Sequence, residues 1–118
     1  PTERATVTIT VPQWARQAIV QTAVTAQAVN SRDVLDYLGI RIDIHGVVSG
    51  NTLFLPAWPF GDVSAGFVGG TRYGSRLITD LGSTVTTSAL MHVNGGTWAS
   101  HTNNFVDNHT SVLWLGVG

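Results

Sequence analysis

The feature that most constrains this chain is alternation. From Ala5 to Val11 every second side chain changes side: Val7, Ile9 and Val11 face one way, Thr6, Thr8 and Thr10 the other. Ile40, Ile42 and Ile44 alternate in the same manner with Arg41, Asp43 and His45. A period of two is the signature of a strand with one buried face, and β-branched residues suit a pleated surface. Pro12 ends or bends the first run, because it has no N–H to give to a ladder.

The remaining segments extend this pattern. Residues 14–29 are rich in Ala and Gln, which favour helix. On a helical wheel, however, Val20 and Val24 fall among Gln13, Arg16, Gln17 and Gln27. At period two, Val20, Thr22, Val24, Ala26 and Ala28 share a face, so the segment is read as strand. Residues 31–38 are expected to form one short helix. Asn30 or Ser31 can cap it, Asp33 lies in its first turn, and Gly39 stops it. Its carboxylates, Asp33 and Asp36, are expected to be solvated. Ile40–Val48 and Leu53–Leu55 read as a hairpin turning at Ser49–Thr52. Pro56 to Gly61 is expected to be irregular, with Trp58 either packed at the domain edge or exposed as an anchor. Residues 61–75 read as loop and strand broken by glycine, 76–81 and 84–93 as strands, and Asn94-Gly-Gly as a hairpin turn. Residues 111–117 close the chain as a strand. The expected fold is all-β: a β-sandwich, of which the jelly roll is one form, with a single short helix near residues 31–38 and one domain over 1–118.

Composition limits the functions open to such a domain. Charged residues are 11% of the 118, against roughly 25% in ordinary soluble domains. A surface so poor in charge is expected to be covered in part by other copies of the chain. The net charge is −1 and every basic residue is Arg. Without a basic stripe, phosphate-directed binding of nucleic acid is not expected. Cysteine is absent, which removes disulfides, thiolate metal sites and cysteine catalysis. No apolar run approaches the length of a membrane span, and the opening Pro-Thr-Glu-Arg does not read as a signal peptide.

The richest stretch in recognition chemistry lies near the end. Trp98, His101, Asn103, Asn104, Asp107 and His109 fall in one polar loop between apolar runs. Flat rings stack on sugar faces, while Asn, Asp and His bond hydroxyls, and loops on rigid strands are where binding residues concentrate. These six are the expected ligand-binding residues. The structural reading is that such side chains bond their own backbone. His92, His101, His109 and Asp107 lack a spacing specific for a metal, so no metal or cofactor is expected. Asn108-His-Thr110 is a formal glycosylation sequon. Gly69-Gly-Thr-Arg-Tyr-Gly-Ser-Arg76 only mimics a phosphate loop, because the required Lys is missing. Nothing places a Ser-His-Asp triad or a carboxylate pair, so the chain is not expected to be an enzyme.

With its Thr-, Gly- and Asn-rich short strands, the Trp98-to-His109 loop and the closing run Ser111-Val-Leu-Trp-Leu-Gly-Val-Gly118, the chain resembles the receptor-binding heads of phage tail fibres and related virion structural proteins. The resemblance is one of architecture and covers the whole chain. It implies a homo-oligomer, with a trimer favoured, that resides in the virion and binds a surface glycan or protein receptor. A virion decoration or capsid-binding protein is the alternative, followed by a free carbohydrate-binding module that would be secreted or at a cell surface.

Overall fold

The computed structural model describes residues 2–31, 34–50, 52–58, 67–93 and 104–116. They form eight strands: β1 (Thr2–Thr10), β2 (Gln17–Val29), β3 (Asp36–Ile44), β4 (Val47–Val48), β5 (Leu53–Ala57), β6 (Phe67–Ile78), β7 (Thr84–Val93) and β8 (Phe105–Leu115). Two antiparallel sheets face each other as a β-sandwich. One has the order β1-β7-β3-β4, with β5 also paired to β3; the other is β6-β2-β8. Sheet neighbours are mostly distant in sequence, because the chain passes from one sheet to the other at most of its connections.

Alternation sets which side of each strand is buried. On β2, Ala18, Val20, Thr22, Val24, Ala26 and Ala28 point inward. Opposite them, Leu38, Ile40, Ile42 and Ile44 of β3 are fully buried, together with Val85 and Ala89 of β7. Each such aliphatic side chain contributes about 1.5–3 kcal/mol by leaving water. The small alanines of β2 leave room for the larger isoleucines across the core. The molecule is long, 57 × 23 × 19 Å, with a radius of gyration of 16.7 Å. A compact chain near this size would have about 13 Å. The 13 residues of β2 alone run roughly 43 Å at 3.3 Å per residue.

The segment read as strand on its period-two pattern is β2. The expected helix at 31–38 is not formed: Asp36, Tyr37 and Leu38 already belong to β3, and no helix occurs among the described residues. Arg32 and Asp33 lie outside them. The alternation of Leu38 with Ile40, Ile42 and Ile44 outweighs a capping signal too short to hold a helix by itself. Asn30 does meet the backbone there, but as a donor: its Nδ2 gives hydrogen bonds to the carbonyls of Val34 (2.9 Å) and Ala57 (2.8 Å). Asp36 is 3% exposed rather than solvated, and its Oδ1 accepts the Tyr37 N–H.

The hairpin also turns earlier than expected. Ile44 pairs with Val47, so His45 and Gly46 make the loop, with φ of 51° and 84°. Positive φ at both positions matches the right-handed twist of the flanking strands. The chain then breaks at Ser49–Thr52, where Gly50 has φ 71°, and rejoins β3 as β5. β4 and β5 are thus two pieces of one broken edge. Pro56, expected in irregular backbone, lies within β5 opposite Tyr37, where an edge strand tolerates a missing donor. Trp58 is exposed (55%). β7 and β8 belong to different sheets, so they do not form the hairpin expected around Asn94-Gly-Gly, a turn that itself lies outside the described residues. β8 begins at Phe105, six residues before the expected Ser111.

Candidate recognition surface

The outer face of the three-stranded sheet follows from its register. β2 pairs with β6 on one side and β8 on the other, which aligns outward side chains in rows across the strands. The first row is Leu77, Ile19 and Leu113; Leu77 is 53% exposed and Leu113 59%. Trp14 is exposed at the same end, where the Arg16 N–H bonds the Leu115 carbonyl. Gly116 lies against the Trp14 ring, where a Cβ would come 2.8 Å from Cε3. The next row is Ser75, Gln21 and Ser111, then Tyr73, Ala23 and His109. Thr71, Thr25 and Asp107 follow, and Gly69, Gln27 and Phe105 come last.

This face has an apolar end and a polar-aromatic end. Across these rows Asp107 is the only carboxylate, and there is no Arg. Tyr73 stands 76% exposed beside Ala23, which separates it from His109 in the same row.

Three of the six expected ligand-binding residues can be placed. Asp107 and His109 project outward from β8, in adjacent rows of the polar-aromatic end. Asn104 turns inward: its Oδ1 accepts the Val29 N–H at 2.9 Å and holds the end of β2. Trp98, His101 and Asn103 lie outside the described residues. Asp107 and His109 are therefore strand residues rather than loop residues, which fixes their spacing. Tyr73 and Phe105 share their face but were not singled out in the sequence. Once β6 is known to be a strand through Gly69, Gly70 and Gly74, alternation alone places Tyr73 and Leu77 on one side.

The histidines do not converge. His92 lies on the outer face of the other sheet, beside Gly39, with its ring stacked on Phe54 at 5.8 Å. His109 is on the opposite side of the sandwich. Among the described residues no group of three metal-binding side chains comes together.

Asn108, between Asp107 and His109, points into the sandwich. Its Nδ2 donates to the Ala5 carbonyl (3.1 Å) and to Thr87 Oγ1 (2.9 Å), while its Oδ1 accepts from Thr110 (2.6 Å). Thr110 spends its one hydroxyl proton on Asn108, so Thr87 and Thr22 must donate to Thr110, at 2.7 and 3.2 Å. Thr87, Thr110 and Asn108 form a closed ring of hydrogen bonds between the sheets. The amide of the sequon is thereby occupied in the folded chain.

Comparison with protein-family models, with curated proteins and with solved structures finds no match. Function is therefore argued from the face itself.

The other sheet presents a different surface. Thr6 pairs with Ser88 and Thr8 with Thr86 through their hydroxyls, at 3.2 and 3.3 Å. Farther along, Arg41 grips Asp43 through two N–H groups at 3.0 and 2.9 Å, and that hydrogen bond holds the Arg41 pKa above its usual value. These are local pairings.

Proposed function

We propose that the chain is a non-enzymatic structural protein of a virion, which associates with copies of itself and presents a receptor-recognition surface. One observation carries this reading: Leu77 and Leu113 are exposed on either side of the half-buried Ile19, on a face almost without charge. Exposed apolar groups gathered in one place mark a surface meant to be covered. An uncharged flat sheet is best complemented by another of its kind, because no ionic group is stranded on either side. A second copy of this chain supplies that partner. The resemblance to tail-fibre heads favours a trimer.

Recognition falls to the opposite end. Leu113 and Phe105 are separated by roughly 26 Å along β8 at 3.3 Å per residue. Copies joined at the apolar end would leave Tyr73, Asp107 and His109 free to meet a glycan or protein on a host surface. The long shape suits this division of labour. A free carbohydrate-binding module is the second reading, favoured by the exposed Tyr73 ring in one row with His109. Sedimentation of the wild type and Leu77→Glu tests the first reading. An assembled wild type and a monomeric variant support it; a monomeric wild type that still binds glycans supports the second.

A further inference from the structure

A cleft of about 500 Å3 opens beside β6. Gln21, Thr22, Ser49, Arg72, Tyr73 and Ser75 line it. Arg72 sits opposite Val24 on the inward side of β6 and reaches towards the break between β4 and β5. Its guanidinium packs so closely on Gly50 that a Cβ there would lie 2.7 Å from Nη2. Gly50, with φ 71°, both makes the turn and leaves room for the cation. Gly74 does the same for Ser49, whose Oγ lies 2.7 Å from where a Cβ would stand.

The Nε of Arg72 is buried and has no hydrogen-bond partner. A buried N–H without an acceptor is costly, more so on a charged group. Among the described carboxylates, Asp43 is held by Arg41 and none lines the cleft. Arg76, the neighbouring inward Arg, is by contrast satisfied by the carbonyls of Ile44 and His45. Arg72 thus borders the cleft with no carboxylate beside it among the described residues. The rest of the lining is hydroxyl and amide, with an exposed tyrosine ring at the rim. The volume falls within the range of small-ligand sites.

We propose that this cleft binds an acidic sugar. Its carboxylate would accept from the guanidinium, whose planar fork matches it. Its hydroxyls would bond Ser49, Ser75 and Gln21, and its ring would rest on Tyr73. The site shares Tyr73 with the recognition surface proposed above and rests on that reading to this extent, but does not depend on self-association.

Calorimetric titration of the full chain with N-acetylneuraminic acid, glucuronic acid, glucose and sulfate tests the proposal. Saturable binding of at least one acidic sugar is expected, with glucose and sulfate at least tenfold weaker. Arg72→Met is expected to weaken that binding about tenfold or more. If Arg72→Met does not fold, Tyr73→Ala carries the test, because that ring is 76% exposed and its loss spares the core. A severalfold loss in Tyr73→Ala is expected. No binding of either acidic sugar, equal binding of glucose or sulfate, or unchanged affinity in the variants that fold would overturn the proposal.

Discussion

Gly39 and His92 face each other across the β3–β7 pair so closely that a side chain on Gly39 would overlap the imidazole. The ring lies over the backbone of β3 and stacks on Phe54. Glycine at position 39 is needed for that approach rather than for a turn. Gly39→Ala is expected to destabilise the fold by about 1–3 kcal/mol, the usual cost of forcing extra volume into a filled space. His92→Ala in the same chain should recover most of the loss. Urea denaturation of the two single variants and the double variant measures the coupling; additive losses would mean that the ring and the added methyl do not meet.

The ring of hydrogen bonds among Thr87, Thr110 and Asn108 has no spare proton. Thr110→Val removes the acceptor for Thr87 and Thr22 and the donor to Asn108. Thr87 is 1% exposed and Thr22 2%, so water cannot readily take over. A loss of about 1–3 kcal/mol is expected, read as a lower urea midpoint with an unchanged slope. An unchanged midpoint would show that the ring contributes nothing.

Asn30 is fully buried and ties the segment before β3 to the end of β5 through Val34 and Ala57. Asn30→Ala would strand both carbonyls. The expected cost is again about 1–3 kcal/mol, accompanied by faster amide exchange in β5 than in β2. Uniform exchange across both strands would contradict a local role.

Much of the fold was legible because alternation is a strong signal. Ile40, Ile42 and Ile44 could hardly lie on any surface but a buried one, and β2 was readable from Val20 to Ala28 despite its helix-favouring alanines. What failed was local. Asn30 and Asp33 imitate a helix start, and only the burial of Leu38 and Asp36 shows that the segment is already sheet. The His45–Gly46 turn was hidden because Ser49-Gly-Asn-Thr52, a few residues on, carries the stronger turn composition. Of the candidate residues, Asp107 and His109 stand on an outward strand face, whereas Asn104 bonds the Val29 N–H. Tyr73 and the Arg72 cleft depend on strands far apart in sequence, so no local pattern could reveal them.

The central claim is that copies of this chain meet at the Leu77–Ile19–Leu113 end of the three-stranded sheet. The chain has no cysteine, so one can be placed at will. The most direct measurement is cross-linking of Leu113→Cys with a short bismaleimide at micromolar concentration, beside Thr71→Cys at the far end of the same face. Efficient covalent dimers from Leu113→Cys, with few from Thr71→Cys, are the expected result. Equal, negligible yields from both positions would contradict it.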